Sequence, residues 1–62
     1  MSRITIEWVE GRNIEQKRTL VKRITDAVIE VDPSVGPDDV SVVFRDMAKS
    51  NFAKSGRLWI DR

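Results

Sequence analysis

The chain has 62 residues, 11 basic and 10 acidic, for a net charge of +1, and it contains neither Cys nor His. Disulfides are therefore excluded, a zinc or iron site has only carboxylate and carbonyl ligands to draw on, and no cofactor is expected. The even charge balance argues against a dedicated nucleic-acid or membrane-surface binder, and no apolar run is long enough to span a bilayer. The first residues lack the apolar stretch of a secretory signal, so a cytoplasmic location is expected. Residues 1–62 are expected to form one domain. A domain this small buries only about 60% of the surface its unfolded chain exposes. With disulfides and metals set aside, oligomerisation is the expected source of further burial.

Residues 3–9 alternate, with Ile4, Ile6 and Trp8 set against Thr5, Glu7 and Val9, and this predicts a strand beginning almost at the first residue. Glu10-Gly11-Arg12-Asn13 breaks the alternation. Asn13 is a good helix N-cap, and Gln16 follows it at capping-box spacing. Glu15 places negative charge in the first turn, where the helix dipole favours it. Leu20, Val21, Ile24, Ala27, Val28 and Val31 then recur at three- and four-residue steps as one apolar stripe. Lys17, Arg18, Lys22, Arg23 and Glu30 fall outside it and are assigned, with Arg3, to solvated faces. The helix is predicted over residues 14–31, ending before Pro33 because the residue before a proline avoids the helical region.

Residues 32–39 are rich in Asp, Pro, Ser and Gly and predict a turn-rich connection. VSVVFR, residues 40–45, is nearly continuously apolar and suits a strand covered on both faces, as in a parallel pair. Strand, helix and strand in this order make a βαβ unit, an α/β (α+β) architecture. In the tail, Ser55-Gly56 is read as the turn of a short hairpin between Phe52-Ala53 and Leu58-Trp59-Ile60. One βαβ unit has no second helix to cover Trp8, Phe44, Leu58, Trp59 and Ile60. These side chains are expected to face other subunits.

Four features now stand in order: a short strand ending in Glu10-Gly11-Arg12, Glu15-Gln16-Lys17 opening the helix, Met47-Ala48-Lys49 after the second strand, and Phe52 beyond it. In this order and spacing the chain resembles the 4-oxalocrotonate tautomerase family over nearly its whole length. The resemblance implies a βαβ subunit paired into a dimer with a four-stranded sheet, and a trimer of such dimers. It implies an isomerase that moves a proton between carbon and oxygen, or between two carbons, of a small keto or enol carboxylate or dicarboxylate. It also implies that the amino-terminal residue is the base, in most members a proline exposed by removal of the initiator Met. A chain-terminal amine suits that task, because its reference pKa of about 7.7–8.0 lies near working pH.

Carried over position by position, the resemblance places Ser2 where the family has its proline, Arg12 at its first substrate-binding arginine and Phe52 at its pocket aromatic. Ser41 falls where a second arginine is expected, and Lys54 is expected to face the pocket. Arg45 shares the strand face of Ser41 but lies four residues along at about 3.3 Å each, too far to replace it. Ser2 is no activated nucleophile, since the chain has no His to deprotonate it. The plainer readings are an ordinary loop arginine for Arg12, packing for Phe52 and Trp8, and surface charge for Lys54 and Arg45. Three functions remain. One is a tautomerase of weak or altered activity that uses a primary amine. The others are a non-catalytic subunit of a mixed hexamer with a proline-bearing paralogue, and a binding or structural homo-oligomer.

Overall fold

The computed structural model describes residues 1–62, and its elements run strand, helix, strand and hairpin. Strand β1 spans Ser2–Val9, helix α1 Ile14–Val31 and strand β2 Val40–Met47. β1 and β2 pair in parallel with Ser2 opposite Val40 and Val9 opposite Met47. This is the βαβ unit the sequence predicts. β2 runs two residues past its predicted end. Its last polar residues stay in the ladder because Asp46 lies opposite Trp8 and finds hydrogen-bond donors there.

The helix begins as its cap dictates. Asn13 Oδ1 accepts the Gln16 backbone N–H at 2.8 Å, and Gln16 Oε1 accepts the Asn13 N–H at 2.9 Å. Each side chain satisfies a backbone donor that the first turn leaves orphaned. At the other end the Asp32 N–H donates to the Val28 carbonyl at 2.9 Å, and Pro33 prevents a further turn. The inward face differs from the predicted stripe. Lys17, Leu20, Val21, Ile24, Thr25, Val28 and Ile29 are partly covered, whereas Ala27 is exposed and Val31 is 86% exposed. The covered strip takes in Lys17 because its ammonium reaches Asp46 on β2.

The even-numbered side chains of the sheet, Ile4, Ile6, Trp8, Val42, Phe44 and Asp46, share the face toward α1, since Lys17 of the helix touches both Phe44 and Asp46. The odd-numbered face, with Arg3, Thr5, Glu7, Ser41, Val43 and Arg45, has no covering element. VSVVFR is thus covered on one face in the single chain rather than on both.

After β2 a short 3-10 turn at Lys49–Asn51 leads into a small hairpin of β3, Ala53–Lys54, and β4, Arg57–Leu58. Ser55 and Gly56 both have positive φ, 56° and 75°, which is the backbone of a two-residue type I′ turn. Trp59 and Ile60 are not strand residues as predicted; they form a closing 3-10 turn, Trp59–Asp61. The Trp59 N–H returns to the Phe52 carbonyl at 2.8 Å, and this bond bends the chain away from extended pairing.

None of the residues is buried in the single chain. Its accessible surface is 4889 Å², against about 4,100 Å² for a compact monomer of this mass. The radius of gyration is 14.9 Å, against about 11 Å for a compact domain of this length. The shape is a flat slab of 46 × 22 × 14 Å.

Candidate active site

The two ends of β1 carry different chemistry. At the start, Ser2 lies opposite Val40, and Ser41 Oγ donates to the Ser2 carbonyl at 3.2 Å. Ser41 thus touches the backbone of Ser2, but in the register it lies opposite Arg3, and its side chain is on the other face of the sheet from that of Ser2. Both side chains are half-buried.

At the far end the chain leaves the strand through Gly11. Its φ of 138° lies in a region that side-chain-bearing residues rarely adopt, although a Cβ there would meet no neighbour. Glu10 anchors this exit: its N–H donates to the Met47 carbonyl at 2.8 Å, and its carboxylate accepts the Lys49 N–H at 3.1 Å. The turn sends Arg12 back over β1. Its guanidinium carbon sits 4.3 Å from the centroid of the Trp8 ring, and Nη1 donates to the Val9 carbonyl at 2.7 Å. No carboxylate pairs with it, and the other N–H groups of its planar fork have no protein partner. A guanidinium held by one face and one edge, with its outer edge free, is arranged to receive a carboxylate in bidentate fashion.

Trp8 is itself fixed. Its Nε1 donates to Asp46 Oδ1 at 2.6 Å, and its ring stacks on Phe44 with centroids 5.3 Å apart. The other Asp46 oxygen accepts Lys17 Nζ at 2.5 Å. That ammonium also lies 5.5 Å from the Phe44 ring. The Lys17 hydrogen bond, and then that of Trp8, hold the Asp46 carboxyl below its ordinary value. Lys17, assigned above to a solvated face, is only 22% exposed at its side chain and reaches across the sheet. This network of Trp8, Asp46 and Lys17 is what sequence reasoning missed. Its members are 9 and 29 residues from Lys17 along the chain, and only the parallel register brings them together.

Phe52 packs edge-on against Trp59, with ring centroids 5.7 Å apart. Trp59 thus has a partner within the chain, as do Trp8 and Phe44, while Leu58 and Ile60 remain 41% and 57% exposed. Lys54 is exposed and lies opposite Arg57 in the hairpin, with no acidic partner. A shallow concavity of about 410 Å³ on one flank of α1, against Pro37, contains none of the predicted site residues.

Ser2 and Trp8 are six residues apart on one extended strand, about 20 Å. One small dicarboxylate does not reach both Ser2 and the Arg12 that lies over Trp8. The single chain brings together Ser2 with Ser41, Arg12 with Trp8, and Phe52 with Trp59, but not these three groups with one another.

The sequence profile of the family described as tautomerase enzyme matches residues 3–61. The chain belongs to the tautomerase family. A probable tautomerase of Halalkalibacterium halodurans is 39% identical over 59 residues, covering 95% of each chain. The 2-hydroxymuconate tautomerase of Bacillus subtilis is 35% identical over 61 residues, covering 98% of this chain and 97% of that one. Among solved structures, one homologue of 4-oxalocrotonate tautomerase superposes with a TM-score of 0.85 at 33% identity, covering 98% of both chains. A second such homologue gives 0.91 at 27% identity, covering 100% of this chain and 97% of the other. The βαβ unit with its C-terminal hairpin is therefore the fold of these tautomerases. No helix is long and apolar enough to cross a membrane.

Proposed function

We propose that this tautomerase-family protein is a keto–enol isomerase of small carboxylates or dicarboxylates of the 2-hydroxymuconate type, with weak or altered activity, working as a homo-oligomer. The observation that carries this reading is Arg12, braced on Trp8 and free of any internal carboxylate. It anchors a substrate carboxylate and draws electron density from the reacting enol. The base is the amine of Ser2, free once Met1 is removed. It takes a proton from the dienol hydroxyl or from carbon and returns it to the conjugated carbon, with the double bonds shifting between. No redox partner or cofactor enters the balance.

A primary amine is a different base from the secondary amine of proline. Ser41 offers a hydroxyl where an arginine would grip a second carboxylate. Phe52 dries the pocket, and Lys54 adds positive potential at its rim. The separation of Ser2 from Arg12 supports a site built from more than one copy. The excess surface and the free edges of the two-stranded sheet support pairing into a four-stranded sheet and assembly of dimers into a hexamer.

The absence of proline at position 2 also favours a second reading, a non-catalytic subunit of a mixed hexamer that lends Arg12 to a proline-bearing paralogue. A binding or structural homo-oligomer is the third. The test is the ketonisation rate of 2-hydroxymuconate, and of phenylpyruvate enol, with intact mass establishing the amino terminus. Slow turnover above the uncatalysed rate by the protein alone supports the isomerase. Turnover only on mixing with a paralogue supports the mixed assembly, and none in either case leaves the structural reading.

A further inference from the structure

We infer that Trp8 is a positioning residue for Arg12, holding the guanidinium at the angle from which it takes a substrate carboxylate, and that Asp46, fixed by Lys17, sets the plane of the indole. The inference rests on the reading of Arg12 as the carboxylate ligand. An arginine on a loop after a strand has a long flexible side chain, and each hydrogen bond it offers a ligand is weakened by the rotamers it must give up. Here the guanidinium is already placed. The Trp8 ring lies 4.3 Å away on one side, and the Val9 carbonyl takes one N–H at 2.7 Å.

The ring beneath it is also fixed at several points. Its N–H is engaged by Asp46 at 2.6 Å, and its π-surface meets Phe44 at 5.3 Å. Asp46 cannot turn away to neutralise Arg12, because its two oxygens are taken by Trp8 and by Lys17. This second point matters for binding. Asp46 feels the charge of Arg12 through space but makes no hydrogen bond or ion pair with it, so the outer N–H groups of Arg12 stay open to a ligand. The lysine thus acts at a distance, by holding the acid that holds the ring that holds the arginine.

The experiment is a double-mutant cycle read by calorimetry with cis,cis-muconate, a dicarboxylate without an enol, on the full-length oligomer. Arg12→Ala is expected to weaken muconate binding about tenfold or more, as for a lost charge-assisted pair. Trp8→Leu is expected to weaken it about two- to fivefold, the scale of an exposed cation–π contact. In the Arg12→Ala protein, Trp8→Leu should cost nothing further. Equal loss from Trp8→Leu in both backgrounds overturns the inference while leaving the role of Arg12 intact. No loss from Arg12→Ala overturns the reading of Arg12 and the inference with it.

If Trp8→Leu does not fold, the Trp59→Phe protein carries the test, with Trp8 as its single indole. Muconate should then shift Trp8 emission, and Arg12→Ala in that background should abolish the shift. Emission that ignores bound muconate overturns the inference.

Discussion

Arg12 and Asp46 lie within one small network yet have opposite freedom. Arg12 has no acidic partner, whereas both oxygens of Asp46 are engaged. Asp46 therefore makes a pH-dependent contribution to stability. Its carboxyl is held below the ordinary 3.8, chiefly by Lys17 and then by Trp8. The unfolded chain then binds the proton more readily than the folded one. The stabilisation is fully present above the ordinary carboxyl range and is lost as pH falls through the lower folded value. Asp46→Asn should melt below the parent at pH 7, and the difference should shrink progressively as pH falls below the ordinary carboxyl value. Thermal melts across that acid range check this; a difference that persists unchanged throughout would contradict it. Arg12 is exposed and makes no ion pair, so Arg12→Ala should leave the melting temperature within about a degree or two while weakening carboxylate binding.

At the scale of elements, the helix boundaries were legible because they are written in local chemistry. Asn13 and Gln16 form the box that opens α1, and Asp32-Pro33 closes it. Asn13→Ala should cost about 1 kcal/mol, measurable by urea titration, because it leaves the Gln16 N–H without its side-chain acceptor. The helix face was less legible. Ala27 and Val31 fit the apolar period yet are exposed, while Lys17 is partly covered; periodicity cannot weigh a lysine whose ammonium meets an acid on β2. The end of β2 was missed for the same reason, since Arg45-Asp46 reads as a polar exit until Asp46 is seen to lie opposite Trp8. In the hairpin the turn at Ser55-Gly56 was legible, but the bend at Trp59 was not, because it depends on the return bond to the Phe52 carbonyl. Ser55 holds a positive φ of 56° without being glycine or asparagine. Ser55→Asn or Ser55→Gly should raise stability by about 0.5–1 kcal/mol, seen as a higher urea midpoint at unchanged slope.

For the whole molecule, the lack of any buried residue and the slab-like shape carry the case for assembly. The sequence made burial in an oligomer the expectation from size and from the absence of Cys and His. It also placed the candidate site residues along the chain, but which ends of the strand they occupy, and that one copy keeps Ser2 about 20 Å along the strand from Trp8, over which Arg12 lies, follow from the strand geometry. Native mass at micromolar concentration should show an oligomer, with the hexamer expected, and Trp59→Ala should weaken it before the helix signal changes. The central claim is that these residues make a tautomerase pocket lacking its tuned base. The most direct measurement is the rate of 2-hydroxymuconate ketonisation by the Ser2→Pro protein, with a free amino-terminal proline established by intact mass. The rate should rise above that of the parent, rise further by about tenfold or more when Ser41→Arg supplies the second carboxylate ligand, and fall back with Arg12→Ala. A Ser2→Pro protein that remains at the uncatalysed rate would contradict the claim.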